Sequence, residues 1–273
     1  MKKFSVLIAN YNNGRFFRAC YDSIISQTFT HWEVIIVDDR STDDSVVIIK
    51  DIIQGDSRFK LYENESNQGC GFTKSKCVEY AEGDLCGFLD PDDALSPIAL
   101  EKSAAAYENT PAIVATHSHM MMCDEHLTPV KTFSQIKKIY NNTYFFNCPI
   151  QISHFFTFRK ETYCKTNGID PALKSAVDQD LYLKILEHGD PAFVKENLYF
   201  YRLHAKGISQ FKSKESARAQ FARVIYEAMK RRGLSKINNK KIPEKYTNAN
   251  EIFELLHYQT RFFYRLKSRI KLF

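Results

Sequence analysis

Short apolar runs alternate with amphipathic stretches along the first ninety residues. The apolar runs stop at polar turns or acids, and we predict buried strands at residues 4–9, 32–39, 58–64 and 84–90. The stretches between them carry helical spacing or helix-start signals, which predicts helices at residues 14–27, 41–54 and 71–83. Strands that alternate with helices indicate an α/β fold with a mostly parallel sheet and right-handed crossovers.

Beyond residue 93 the pattern is looser. We predict helices at residues 97–108 and 178–189, strands at residues 112–116 and 192–204, and a strand that turns into a short helix over residues 155–168. The region up to about residue 150 is polar and aromatic. Residues 210–273 are predicted to form two or more basic helices, so we expect a body over residues 1–210 and a basic helical extension over residues 211–273.

Composition limits the class of protein. A chain of 273 residues with 44% hydrophobic and 14% aromatic residues is expected to form one α/β body with an appendage. The seven cysteines are scattered and form no Cys-x-x-Cys pair, which favours reduced thiols in a cytoplasmic protein and argues against a zinc site. The apolar stretch after Lys3 is too short for a signal peptide, and no apolar run approaches the roughly 20 residues that span a bilayer.

The positive charge is concentrated near the C-terminus. The chain is formally +6, yet residues 206–273 hold 17 Lys and Arg against five Asp and Glu, so residues 1–205 are acidic. The last 13 residues, RFFYRLKSRIKLF, interleave basic with aromatic and aliphatic side chains. They suit an interfacial helix on an anionic membrane surface, or else a solvated helix packed on the body. Nucleic-acid binding is not expected, because the rest of the chain is acidic.

Three carboxylates crowd the end of the fourth predicted strand, at Asp90, Asp92 and Asp93 in LDPDDALSP. Adjacent carboxylates repel unless a cation joins them. Oxygen ligands favour a hard divalent ion, Mg²⁺ or Mn²⁺, which can also bridge to phosphate oxygens. The alternative is a solvated loop in which Asp93 caps the helix at residues 97–108.

Further candidates follow the first and second predicted strands. Asp38 and Asp39 end the second strand, and Tyr11 follows the first. A carboxylate there can accept a hydrogen bond from a uracil imide while the tyrosine ring stacks on the base. The acids can also form another metal site, cap a turn or serve as structural strand-end acids.

Two later segments complete the set of candidates. Asp178 and Asp180 stand at the start of a predicted helix, where one acid can take the proton of an acceptor hydroxyl and the other can cap the helix. His204 follows a predicted strand with Arg202 nearby, so it can complete a metal's ligand set or be structural.

Together these segments resemble the family 2 glycosyltransferases over roughly residues 3–210. The resemblance is carried, in order, by SVLIANYNNGRF, WEVIIVDDRSTDDS, NQGCGFTKSKCVEYAEGDLCGFLDPDD, VDQDLYLKILEHG and YRLHAKGIS. It implies a GT-A fold, in which a Rossmann-like sheet is flanked by helices. Residues 1–95 are then the nucleotide-binding half and residues 96–210 the acceptor half.

The resemblance also implies an activity and its residues. A UDP-sugar donor would pass its sugar, with inversion, to a hydroxyl of a glycan or lipid-linked glycan acceptor. Asp178 is the expected base, and Asp92 and His204 are the expected ligands of a divalent cation, Mn²⁺ or Mg²⁺. The residues expected to contact the nucleotide-sugar are Ala9, Tyr11, Asp38, Asp39, Gly69, Lys74, Asp90 and Arg202.

Within that set the roles differ. Tyr11 and Asp39 would hold uracil, Asp90 the ribose or sugar, and Lys74 or Arg202 the leaving diphosphate. Lys74 stands where the family usually has an arginine, which keeps the charge but loses the bidentate geometry.

Two other functions remain open. A sugar-phosphate nucleotidyltransferase also uses a metal and a related sheet, but it requires a glycine-rich loop with Arg and Lys after the first strand, where this chain offers only Gly14 and Arg15. A membrane-associated scaffold would keep the fold without turnover. For each of these functions the expected location is the cytoplasm, with a peripheral position on the inner face of the membrane as the second possibility.

Overall fold

The computed structural model describes residues 2–204 and 214–260. In the first part of the chain, strands alternate with helices. These elements are β1 (Phe4–Asn10), α1 (Phe17–Ile25), β2 (Trp32–Asp38), α2 (Ser45–Ile53), β3 (Phe59–Glu63), α3 (Cys70–Tyr80) and β4 (Leu85–Phe88). Every strand and helix predicted in this region is present, so the α/β alternation is confirmed.

The second part contains shorter elements and longer connections. The elements up to residue 202 are β5 (Ala94–Leu95), α4 (Ala99–Asn109), β6 (Ala115–Cys123), β7 (Pro129–Thr132), β8 (Thr157–Arg159), α5 (Lys160–Tyr163), α6 (Val177–Leu186) and β9 (Pro191–Arg202). Those after residue 213 are α7 (Lys214–Arg231), β10 (Lys236–Ile237), β11 (Lys240–Lys241) and α8 (Ala249–Leu256). Across residues 2–204 and 214–260, no helix is both long and apolar enough to cross a membrane.

One large sheet organises the described residues. Its strand order is β3-β2-β1-β4-β8-β6-β9-β5, with β7 paired to β6. Strands β3, β2, β1 and β4 are parallel, so their carboxyl ends open at one edge. Strand β8 runs antiparallel to both β4 and β6. In sheets of this kind, ligands bind outside the carboxyl ends of the parallel strands.

Strands β1, β2 and β4 are buried on both faces, which explains their continuous apolar runs. Along β1, Phe4, Val6 and Ile8 pack into a cluster with apolar residues of α1, α2 and α4. Leu7 points the other way, into a cluster with residues of α3, α6 and α7. Full burial of one such side chain contributes about 1.5–3 kcal/mol, so the two clusters fix the register of the strands.

The predicted start of the second helix at Ser41 is wrong, because α2 begins at Ser45. The Ser41 hydroxyl donates to Asp38 (2.6 Å), and the backbone N–H of Thr42 donates to Asn12 (2.8 Å). These contacts hold the chain in a turn that links the ends of β1 and β2.

The described part of the extension contains two helices, α7 and α8, as predicted, together with a hairpin that the sequence did not predict. Strands β10 and β11 form an antiparallel hairpin between the two helices α7 and α8. Asn238 and Asn239 make its turn with φ of 47° and 63°. Two successive left-handed residues form the turn that suits the twist of a two-residue hairpin, and asparagine tolerates that conformation.

The described part of the extension packs on the body. Ala222, Ile225 and Met229 of α7 are fully buried in the apolar cluster that also contains residues of α6. The predicted boundary near residue 210 and the interfacial helix predicted for residues 261–273 lie outside the described residues. The division into two domains therefore stays a prediction.

Candidate active site at the carboxyl edge of the sheet

Asp38, the last residue of β2, is fully buried among hydrogen-bond donors. It accepts from the side chain of Asn10 (2.7 Å) and from the backbone N–H (2.7 Å) and hydroxyl (2.6 Å) of Ser41. Asp38 thus holds the turn between the ends of β1 and β2. Its direct contact with a nucleotide-sugar stays a prediction.

Asp39 ties the end of β2 to the start of α3. Its carboxylate accepts from the Asn64 amide (2.8 Å) and from the backbone N–H groups of Gln68 (2.8 Å) and Gly69 (2.7 Å). Gly69 has φ of 94°, a conformation that favours glycine, and immediately precedes α3. A carboxylate offers about four lone-pair positions, so these three bonds leave capacity for one further donor.

Ala9 and Tyr11 lie at the end of β1, next to the end of β2. The Asp39 N–H donates to the carbonyl of Asn10 (2.8 Å), which places Tyr11 next to the end of β2. Tyr11 is 44% exposed, although it is aromatic and follows a buried strand. Ala9 is half-buried opposite Val37 in the parallel ladder. The residue that follows β1 thus offers an exposed aromatic side chain at the edge where β2 ends.

Lys74 brings together two carboxylates from separate parts of the chain. Its ammonium lies 2.7 Å from Asp178 on α6 and 3.5 Å from Asp90, which follows β4. The Lys74 side chain is 6% exposed, whereas Asp178 and Asp90 are each about one-third exposed. The two acids can therefore contact a ligand while the buried Lys74 ammonium pairs with both of them.

The ion pairs set the ionisation of this group. Burial alone would lower the pKa of Lys74, but the carboxylates of Asp178 and Asp90 raise it well above its ordinary value. Burial alone would raise the pKa of Asp178, but Lys74 and then His154 lower it below its ordinary value. Asp178 is thus an ionised carboxylate near neutral pH, as a general base requires.

His154 belongs to the same group, although no pattern in the sequence predicts a role for it. Its ring stacks on Tyr199 and Tyr201, with centroids 5.1 and 5.7 Å apart, and its Nδ1 lies 4.0 Å from an Asp90 oxygen. The antiparallel register of β8 with β4, if continued, places His154 opposite Asp90. A histidine before an unremarkable strand gives no signal until that pairing is known.

Asp92 and His204, the predicted metal ligands, lie side by side. Nε2 of His204 is 2.8 Å from an Asp92 oxygen, and the His204 ring packs on Phe16 with centroids 4.6 Å apart. Nδ1 of His204 is buried and has no hydrogen-bond partner within residues 2–204 and 214–260. His204 follows β9 and Asp92 lies in the loop after β4, and the fold brings both to the same edge.

Arg202 braces the loop that carries Asp92. Its guanidinium donates to the backbone carbonyls of Asp92 and Glu125, both at 2.6 Å. Its backbone N–H donates to Asp93 (2.7 Å), which also accepts from the Tyr199 hydroxyl (2.7 Å). Burial, then the nearby carboxylates of Asp92 and Asp90, raise the pKa of Asp93 well above its ordinary value. Asp93 is therefore joined to β9 and does not cap α4.

The donor set fits a divalent cation in part. The part of the chain that the structure describes holds no group of three or more acidic, histidine or cysteine side chains arranged to bind a metal. Asp92 and His204 supply one carboxylate oxygen and one imidazole nitrogen. Hard divalent cations commonly complete their shells with water and substrate phosphates, so two protein ligands are compatible with such a site.

Comparison of the sequence with known proteins identifies similar chains. A family model described as "Glycosyl transferase family 2" matches residues 5–165. The chondroitin synthase of Escherichia coli is 27% identical over 247 residues, which cover 90% of this chain and 35% of that protein. The chain therefore spans about a third of the length of this curated relative.

Comparison of the fold identifies similar solved structures. The structure of S. aureus TarS 1–349 in complex with UDP-GlcNAc has a TM-score of 0.69 at 20% identity, covering 99% of this chain and 76% of that one. A mannosyltransferase from Pyrobaculum calidifontis in complex with GDP-Man and Mn²⁺ has a TM-score of 0.61 at 14% identity, covering 94% and 69%. These likenesses show the fold, and the expected GT-A arrangement is confirmed.

Proposed function

The chain belongs to glycosyl transferase family 2, and from this membership we propose that it transfers a sugar from a UDP-sugar to a hydroxyl of a glycan or lipid-linked glycan acceptor. The similarity to a chondroitin synthase supports a polysaccharide-type acceptor. The UDP-GlcNAc bound to TarS supports a uridine-containing donor. The GDP-Man bound to the mannosyltransferase makes a guanosine donor the alternative to test.

One observation carries the proposal: Asp178 is ionised and part-exposed beside Asp90, and buried Lys74 holds both. In the proposed reaction, Asp178 accepts the proton of the acceptor hydroxyl. The hydroxyl oxygen bonds to the anomeric carbon as the bond from that carbon to the diphosphate oxygen breaks, and UDP leaves. A single displacement of this kind inverts the anomeric carbon, and general-base help of about 10²–10⁴-fold is typical.

The residues at the ends of β1 and β2 suit the nucleoside. The open ring of Tyr11 can stack on uracil, and the remaining acceptor position of Asp39 can receive the imide N–H. Asp90, one-third exposed between Lys74 and His154, can accept hydrogen bonds from hydroxyls of the ribose or the transferred sugar. Gly69 and Ala9 are small, so the nucleotide-sugar can approach the backbone at these positions.

Asp92 and His204 would hold the divalent cation, Mn²⁺ or Mg²⁺. When bound, the cation neutralises negative charge on the leaving diphosphate. Arg202, whose guanidinium is occupied by backbone carbonyls, keeps Asp92 in position and does not itself face the phosphates in this proposal. Lys74 likewise keeps Asp178 and Asp90 in position and does not itself face the phosphates in this proposal.

The test is UDP release from a panel of UDP-sugars with glycan acceptors, with and without Mn²⁺, alongside GDP-mannose. We expect release that depends on the metal and is lost in Asp92→Asn and His204→Ala. A preference for GDP-mannose would overturn the uracil assignment. A scaffold would release nothing from any donor, and a nucleotidyltransferase would instead form pyrophosphate from UTP and a sugar phosphate.

A further inference from the structure

A cavity of about 610 Å³ lies outside the site described above, between residues 134–151 and the end of the extension. Amide side chains of Gln135, Asn142 and Gln151 line it from the body. Gln259 lines it from the extension and donates to the carbonyl of Tyr144 (2.9 Å). The volume lies within the roughly 300–1,000 Å³ of cavities that bind small molecules.

The lining has the chemistry of a saccharide site with a positive charge. Tyr140 and Tyr144 are among the lining residues, and Tyr144 is 44% exposed. Amides both donate to and accept from hydroxyls. Among the described residues that line the cavity, Lys137 and Lys138 carry charge and none is acidic. An anionic group beside a sugar ring would satisfy both features.

Hydrogen bonds connect the wall of the cavity to the helix that carries Asp178. The Asn147 side chain accepts hydrogen bonds from the backbone N–H groups of Gln151 (2.7 Å) and Ile152 (2.8 Å). It donates one to Gln179 (3.0 Å), the neighbour of Asp178 on α6. His154 follows Gln151 by three residues, a span of at most about 11 Å. The segment that lines the cavity is thus joined to both His154 and the neighbour of Asp178.

We propose that this cavity is an acceptor subsite for an anionic glycan, in which Lys137 and Lys138 bind a carboxylate or phosphate and the tyrosines stack on adjoining sugar rings. The proposal rests on the proposed sugar transfer, for which it names the acceptor class. It also gives the extension a role, since Gln259 supplies part of the wall.

The test measures binding of three oligosaccharides to the full chain by calorimetry, without donor. One carries uronate carboxylates, one is a polyol-phosphate oligomer, and one is neutral. We expect an acidic ligand to bind, and the double variant Lys137→Gln/Lys138→Gln to weaken its Kd by about tenfold or more. The matched control is Lys131→Gln/Lys165→Gln, two exposed lysines that do not line the cavity.

Transfer assays then separate this inference from the function on which it rests. The cavity variant should raise KM for the acidic acceptor with kcat unchanged, and leave donor hydrolysis unchanged. Three results would overturn the subsite. They are equal binding of neutral and acidic ligands, no binding of either acidic ligand, and an unchanged Kd in the cavity variant. Acidic binding that the variant weakens, without turnover of any donor, would support the subsite and contradict the proposed transfer. The acidic ligand that binds more tightly identifies the anionic group that the subsite recognises, a carboxylate or a phosphate.

Discussion

Lys74 is buried between two carboxylates, and its position determines the charge of the candidate base. An ammonium removed from water is costly unless it is paired, and Asp178 and Asp90 pair with it. The same contact keeps Asp178 ionised in surroundings that would otherwise favour its protonated form. A cation that favours the ionised base also lowers its proton affinity, so a change at Lys74 acts on the pH dependence of the reaction.

Lys74→Gln is expected to shift the acid limb of kcat/KM to higher pH. Lys74 lowers the pKa of Asp178 against the effect of burial, so its removal lets that pKa rise. The base is then protonated, and activity is lost, at a higher pH than in the wild type. Lys74→Arg keeps the charge and should keep the limb near its original place. An unmoved limb in Lys74→Gln would exclude Asp178 as the titrating base.

Asp178→Asn is expected to lower kcat by about 10²–10⁴-fold, because an amide cannot take the acceptor proton. UDP binding, measured by calorimetry, should stay near the wild-type value. Asp170→Asn is the control, since Asp170 is an exposed acid that precedes the same helix. A loss of similar size in both variants would indicate a structural effect.

At the scale of elements, the active edge depends on close contact between α3 and the segment before α6. The Gly71 N–H donates to the carbonyl of Leu173 (2.9 Å). A Cβ at Gly71 would lie 2.4 Å from the carbonyl oxygen of Asp170 and 2.6 Å from that of Leu173. These are backbone atoms, which cannot move away by a side-chain rotation. Only glycine lets α3, the helix that carries Lys74, approach the segment before α6 in this way.

Gly71→Ala is therefore expected to destabilise the fold by about 1–3 kcal/mol and to lower kcat by separating Lys74 from Asp178. Thermal unfolding and steady-state kinetics measure the two effects. Ser75→Ala on the same helix, where the hydroxyl donates only to the Phe72 carbonyl, is the control. Wild-type stability in Gly71→Ala would show that α3 tolerates the side chain.

The opposite edge of the sheet contains a buried acid whose stabilising effect depends on pH. Burial would raise the pKa of Glu33, but hydrogen bonds from Ser5, Lys3, the Glu82 N–H and Lys60 lower it from 4.5 to about 2. A lowered folded-state pKa gives stability that is present above about pH 4.5. That stability is lost as the pH falls towards 2.

Glu33→Gln should destabilise the protein by on the order of 2 kcal/mol at neutral pH, because it removes a buried charged acceptor. The difference from the wild type in urea midpoint should shrink as the pH falls from 4.5 towards 2. Glu82→Gln, at a side chain that is 61% exposed, should have little effect. A difference that is constant with pH would contradict this account of Glu33.

The sequence predicts local elements well because their signals are local. Continuous apolar runs identify β1 and β2, and the acids that follow the strands identify the edge where Lys74 and Asp178 meet. His154 could not be identified, because its place opposite Asp90 depends on the antiparallel pairing of β8 with β4. For the same reason, the roles of Arg202 and Lys74 as supports for acids appear only when the contacts are known.

At the scale of the whole molecule, the charge distribution and the packing lead to different conclusions about whether the extension is separate from the body. The excess of basic residues from residue 206 onwards suggests a separate appendage. Yet Ala222, Ile225 and Met229, spaced by three and four along α7, are buried with residues of α6. Arg232 adds an ion pair to Glu187 (3.2 Å) and a hydrogen bond to the carbonyl of Phe145 (2.5 Å). The described extension and the body therefore share one core.

A shared core predicts that the extension and the body unfold together. Ile225→Ala should lower the free energy of unfolding by about 2–5 kcal/mol, since it leaves a cavity beside α6. Far-ultraviolet circular dichroism, to which α7 and α8 contribute, and the fluorescence of Trp32, the single tryptophan of the chain, should report the same shifted urea midpoint. Val47→Ala, at a side chain that is 61% exposed, is the control and should leave the midpoint unchanged. If the Trp32 transition kept its wild-type midpoint while part of the helical circular dichroism was lost earlier, the extension would unfold independently. Gln259 would then be free to leave the wall of the cavity without loss of the catalytic edge.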